Sequence, residues 1–406
     1  LRRHRHGLIR LVLLLGCCAL PLFACGIGST TSPGGAAVPT ATPIPCATAA
    51  TGSALVWIHA QQVVGRIPAS AATATLSNFV YPLGIQDENA VGNAPTPTIT
   101  TVSPDARHLA VAITQYVPFS AEFNPYIVDT STHVVTKVPL AHPITNAQSD
   151  QPQRLFAWAD NHTLIIFSGA SSPAQSYDLT TNSLTTLAGT EGAIEGVVRC
   201  STLFYMTYTG INVSSSPVVP ELIHRYDLAS HTAIGAPITI GTAGTWGGAE
   251  GEIFYGGWDV SADGAHIAYQ SLASTVTGSG SGMTQSSHWY AANADGSSAV
   301  SILPSLTSND PAYLAVSPDG SQVAVTSADP APNVASGPMS GGATRFYDSP
   351  NGFSHPAWRA DSQAFYASKL QYIDASDTIA QFLLGAGAHA TGSTAISPGD
   401  MPVSLP

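Results

Sequence analysis

The sequence predicts an all-β fold built from repeated four-stranded units, and three observations carry that prediction. Only 9% of the 406 residues are charged, against about 25% in an ordinary soluble domain, so charge-laced surface helices and coiled coils have no material. Short runs of alternating apolar and small polar residues, bounded by Gly, Pro, Asn, Asp and Ser, have the period of strands, and no stretch shows the helical period convincingly. One turn motif also returns every 40 to 60 residues or so along the chain. Strands of that length, with a repeat of that spacing, point to a β-propeller, in which four-stranded blades surround a central channel.

In chain order, the first element is a leader. Arg2, Arg3, Arg5 and Arg10 precede an uncharged apolar run from Leu11 to Ala24. As a helix those 14 residues rise about 21 Å, short of the ~30 Å hydrocarbon core. The segment therefore reads as a secretory signal and not as a membrane span. It ends in Leu22-Phe23-Ala24-Cys25-Gly26, which resembles the lipobox of bacterial lipoproteins. The resemblance implies cleavage after residue 24, a lipid carried by Cys25, and residence outside the cytoplasm on a membrane.

Residues 25–52 are expected to form a disordered tether. After Cys25 they are rich in Ser, Thr, Pro, Gly and Ala and contain no charged residue. Such a stretch buries too little apolar surface to fold, and its prolines keep it extended. Of the five cysteines, Cys17 and Cys18 leave with the leader and Cys25 takes the lipid, so Cys46 and Cys200 remain. Outside the cytoplasm an even remainder is expected to form a disulfide. Loss of the leader removes four of the 13 Lys and Arg, leaving nine against 25 Asp and Glu, a net charge of −16. So acidic a body excludes a nucleic-acid partner. It also does not adhere to anionic lipid by itself, which leaves membrane attachment to the lipid on Cys25.

Residues 53–398 hold the propeller, with 399–406 as a C-terminal tail. The turn motif appears as Val102-Ser103-Pro104-Asp105, as Val260-Ser261-Ala262-Asp263-Gly264 and as Val316-Ser317-Pro318-Asp319-Gly320, each leading into an apolar strand. Weaker copies are Trp158-Ala159-Asp160 and Trp358-Arg359-Ala360-Asp361, and a degenerate one without Asp lies near Val197 to Tyr205. A second turn follows several copies, at Asp129, Asp178, Asp227 and Asp348, with Asp295-Gly296 in the same role. Asp suits both turns because its carboxylate accepts nearby backbone N–H groups, and Gly supplies the positive φ of a tight hairpin. Six repeats are marked by motif, and the pair Ala54 to Ile58 and Val63 to Pro68 is left over. That pair either completes a further blade or closes the ring with the last one. Seven blades are expected, with six and eight open.

Ser-Pro-Asp-Gly followed by an apolar strand resembles the WD40-like, or PD40, repeat of TolB-type propellers. The resemblance covers most of residues 54 to 395 and implies the propeller fold; no residue-by-residue match carries over the partner interactions of that family.

Chemistry-bearing motifs are scarce. Ten of the 18 aspartates, Asp105, Asp160, Asp263, Asp319 and Asp361 among them, fall in the repeat turns and are explained by turn-building. His108 and His266 occupy one repeat position in different blades, where Gln322 stands in a third, so they read as strand-edge residues and not as a metal pair. No metal site and no cofactor is expected, and the nucleophile-elbow, sialidase and prolyl-oligopeptidase patterns are all missing. One segment stands out as a ligand-binding loop: Trp246, Glu250 and Glu252, running on to Trp258 and Asp259 across several glycines. Gly permits close approach, aromatic faces stack on sugars or peptides, and acids fix polar groups.

The expected function is therefore that of a monomeric, membrane-anchored, extracytoplasmic binding or scaffolding module. Its partner would be an envelope protein or glycan. The alternative is a glycan- or lactone-cleaving hydrolase whose residues gather at the central channel, one from each blade.

Overall fold

The structure is a computed structural model, and it describes residues 55–404 apart from short intervals, the longest of which are 79–95, 147–153, 209–217, 246–252 and 370–377. The leader, the tether, Cys25 and Cys46 lie outside the described residues. The described elements are all strands, and no described helix is long and apolar enough to cross a membrane.

Among the described residues the strands pair into seven sheets, each built on a four-strand antiparallel meander. Thr96–Val102 opens the second sheet, Phe156–Trp158 the third, Glu195–Arg199 the fourth, Trp258–Val260 the fifth, Tyr313–Val316 the sixth and Phe353–Trp358 the seventh. The first sheet joins the two ends of the chain. Leu55–His59, Gln62–Arg66 and Thr73–Asn78 come from its start, and Asp400–Ser404 supplies the fourth strand, with Leu55 opposite Ser404. The six opening strands and Asp400–Ser404 neighbour one another in a closed cycle, so they are the inner strands of a β-propeller.

Two expectations are refined here. The left-over strand pair completes a sheet of its own, and the propeller does not end at residue 398. Residues 400–404, read as part of a tail, form an inner strand. Their alternation was too short to register as a strand, because the partner that stabilises it lies at the other end of the chain.

The core is a set of layers between neighbouring sheets. One layer packs Ala110, Ala112 and Ile127 of the second sheet against Phe156, Trp158 and Leu164 of the third. Another packs Phe204, Met206 and Ile223 of the fourth against Trp258, Val260 and Ile267 of the fifth. Strands next to the inner ones are buried on both faces, which explains Leu109-Ala110-Val111-Ala112 with no exposed side chain. Small Ala on one face lets the neighbouring sheet approach, and each large buried side chain contributes about 1.5–3 kcal/mol.

Because strands alternate in direction, the turns after the first and third strands of every sheet emerge on one face of the ring. Both Asp motifs sit there. Asp105 Oδ1 accepts the Ser103 hydroxyl at 2.7 Å and the Arg107 N–H at 3.1 Å, while Ser103 Oγ accepts the His108 N–H at 2.9 Å. Ser261 and Asp263 repeat the arrangement with Ala265 and His266. Ser317 and Asp319 repeat it with Ser321 and Gln322. Asp160 accepts the His162 and Thr163 N–H groups, and Asp361 accepts that of Gln363. Gly264 and Gly320, at φ of 69°, supply the left-handed step that closes two of these turns.

Candidate functional site

The sequence points to the stretch from Trp246 to Asp259; Trp246, Glu250 and Glu252 lie outside the described residues. Trp258 and Asp259 do not behave as ligand-contacting loop residues. They open the inner strand of the fifth sheet and are 1% and 6% exposed. Gly257, the described glycine of this stretch, serves backbone packing. A Cβ on Gly257 would stand 2.1 Å from the Ala312 carbonyl oxygen of the sixth sheet.

What surrounds Trp258 and Asp259 is a polar cluster at the centre of the ring. The Trp258 Nε1–H donates to Glu195 Oε1 of the fourth sheet at 2.6 Å. Asp259 Oδ1 accepts the Val260 N–H, and Oδ2 accepts the Val316 N–H of the sixth sheet, each at 2.8 Å. Arg154 and Arg199 both bring an Nη2 to 3.4 Å from Asp259 Oδ1. Arg199 also donates its Nε–H to Val260 O at 3.0 Å.

Arg154 reaches furthest. It stands just ahead of the inner strand of the third sheet, yet donates to Trp258 O of the fifth and Leu314 O of the sixth. Its guanidinium carbon lies 5.1 Å from the centroid of the Trp258 ring. One side chain thus ties three sheets together, and the planar fork of Arg suits such divergent acceptors. Gln270, fully buried, adds a parallel tie: its Oε1 accepts the Ala312 N–H at 3.0 Å and that of Gly257 at 3.4 Å.

The electrostatics follow from burial. Burial pushes the Glu195 carboxyl above its ordinary range, against the opposing pull of the Arg154 charge and the Trp258 N–H. Asp259 has both oxygens engaged, Oδ1 by two guanidinium groups and the Val260 N–H and Oδ2 by the Val316 N–H. A carboxylate so held fixes strands in register.

Cross-strand register shows how exceptional Asp259 is. The residues equivalent to it on other inner strands, set by pairing with Ala110, Ile165, Phe204, Ala324 and Tyr366, are Thr101, Ala157, Val197, Ala315 and Ala357. Alignment of the repeats would therefore have exposed Asp259 as an outlier. Arg154 and Glu195 belong to no recurrent motif and Arg199 only to the degenerate copy, and sequence reasoning passed over all three; the one hint was that basic residues are few.

The remaining sequence-flagged residues are dispersed. His266 is exposed, whereas His108 lies between sheets, 3.9 Å from Asp129 and with its ring 5.9 Å from that of Trp158. Among the described residues no three His, Cys, Asp or Glu side chains stand close enough to hold a metal ion. A second polar pair, Thr207 Oγ1 and His224 Nε2 at 2.7 Å, packs beside Tyr205, and burial holds the His224 imidazole below its ordinary pKa. Cys200, in the turn between the first two strands of the fourth sheet, is disulfide-bonded.

No protein-family model matches the chain, and no curated protein matches its sequence. Solved structures do share its fold. A quinonprotein alcohol dehydrogenase-like protein from Bacteroides thetaiotaomicron is similar at a TM-score of 0.52 and 10% identity, over 88% of this chain and 78% of that one. TolB from Acinetobacter baumannii is similar at 0.42 and 12%, over 87% and 67%. The β-propeller domain of the Trilobed protease from Pyrococcus furiosus, described as having an open velcro topology, is similar at 0.44 and 10%, over 84% and 88%. At such identities the likeness is one of fold alone, and the fold is a β-propeller.

Proposed function

We propose that the protein is a lipid-anchored, extracytoplasmic, seven-bladed propeller that binds an envelope protein or glycan through one face. The observation that carries the binding reading is the occupied centre of the ring. Where a channel enzyme would gather free acids and bases, Arg154, Arg199 and Asp259 are spent on one another and on backbone groups of three sheets. The anchored reading rests on the lipobox-like Leu22-Phe23-Ala24-Cys25 and the uncharged stretch behind it.

Mass spectrometry of the mature protein tests the anchor. The expected terminus is a lipid-modified Cys25, and Cys25→Ala is expected to move the protein from the membrane to the soluble fraction. An unmodified terminus downstream of Cys25 would refute the anchor. For the binding reading, cross-linking in intact envelopes followed by pull-down should return one recurrent partner. Turnover of a glycan or lactone panel that is lost in Asp259→Asn, with the fold intact, would replace it with the hydrolase.

A further inference from the structure

We infer that the Asp-turn face around Cys200 is the docking site of this chain's own N-terminal segment, fastened there by a Cys46–Cys200 disulfide. Cys200 lies in the two-residue turn between Arg199 and Thr202, at a φ of 52°, with its Sγ 3.4 Å from the Asp263 carbonyl oxygen. That turn follows an inner strand, so the bond is made close to the ring axis and on the face that carries the Asp turns.

The partner follows from chain geometry. Cys200 is bonded, and Cys46 is the cysteine that neither the leader nor the lipid claims. The chain enters the ring at Leu55, which pairs with Ser404 at the end of an inner strand, and that end lies on the Asp-turn face too. Leu55 stands nine positions after Cys46, a reach of at most about 32 Å. The intervening Ala47-Thr48-Ala49-Ala50-Thr51-Gly52-Ser53-Ala54 is small and uncharged, so nothing in it is repelled by a face of carboxylates. The bridge would hold both ends of the segment on one face.

In the anchored protein the pull of the tether would enter through Cys200 near the ring axis, leaving the opposite face for the partner. That consequence, like the choice of Cys46 over the cysteines of the leader and the lipid site, rests on the anchored reading above.

The test is a protease site inserted between Gly52 and Ser53 of the full chain, with Cys200→Ser as the control. After cleavage, the N-terminal fragment is expected to stay with the propeller on a non-reducing gel and to separate with dithiothreitol. In Cys200→Ser it should separate without reductant, with the circular dichroism of the fold retained. Separation of the unmodified protein without reductant, or a Cys200–Cys200 dimer of the same chain, overturns the proposal. Non-reducing peptide mapping identifies the bridge independently: a peptide joining Cys46 to Cys200 supports it, and alkylation of Cys46 in the unreduced protein refutes it. Both readouts work on the exported Cys25→Ala form, which carries no lipid, so a failed anchor and a failed bridge give different results.

Discussion

At the scale of single residues, the centre of the ring makes the sharpest predictions. Asp259 offsets two guanidinium groups and caps a strand of the next sheet, so Asp259→Ala leaves Arg154 and Arg199 without their common counter-charge. Breaking one partner of a buried pair typically costs about 3–5 kcal/mol, and a loss of that order is expected in chemical denaturation. A loss below about 1 kcal/mol would show that the cluster is not structurally important. Glu195 gives a finer contrast. Glu195→Gln keeps an acceptor for the Trp258 N–H and should cost little, whereas Glu195→Ala leaves that buried N–H without its partner, at about 1–3 kcal/mol. Near-ultraviolet circular dichroism of the tryptophans should change in the second variant only. Trp258 and Asp259 sit next to each other in the chain, yet the Trp258 indole donates to Glu195 of the fourth sheet while Asp259 Oδ2 accepts the Val316 N–H of the sixth. That division was readable from the alternation of a strand; the identities of Glu195 and Arg154 as partners were not.

At the scale of the element, the turn is the unit that the sequence spells out. Ser-x-Asp closes its own hydrogen bonds within five residues, so residue types alone indicate the geometry. Folding makes these carboxylates harder to protonate. At Asp129 the Ser131 hydroxyl is the largest cause, joined by the N–H groups of Thr132 and Ser131. At Asp263 and Asp319 burial works the other way and is outweighed by the hydroxyls of Ser261 and Ser317 together with backbone N–H groups. A depressed folded pKa means that the stabilisation is present above the unfolded carboxylate value of about 3.9 and is withdrawn as pH falls below it. The melting temperature should therefore be flat from pH 7 to about 5 and fall steeply below about pH 4. Asp319→Asn should lower it at neutral pH and soften the acid limb; an unchanged limb in the combined Asp129, Asp263 and Asp319 variant would contradict this account. Close approach is the other property of an element. Gly257→Ala is expected to weaken the junction of the fifth and sixth sheets, because the added methyl meets the Ala312 carbonyl.

At the scale of the whole molecule, stability depends on closing the ring. The first sheet takes Asp400–Ser404 from the far end of the chain, so deletion of residues 400–406 removes an inner strand and exposes the edge of Leu55–His59. The truncated chain is expected to lose its single cooperative transition and to expose apolar surface to dye binding, although every turn motif is retained. By itself the sequence determined what is local: strand period, the two Asp turns, the repeat length and hence the propeller. Each is decided within a few residues, where the backbone's own donors and acceptors must be satisfied. The tertiary structure alone decided what stands at the centre. Arg154 meets Trp258 across 104 residues of chain and Leu314 across 160, distances set by how many strands and loops happen to intervene. No periodicity encodes such a separation, because the ring brings inner strands together whatever the length of the connections between them.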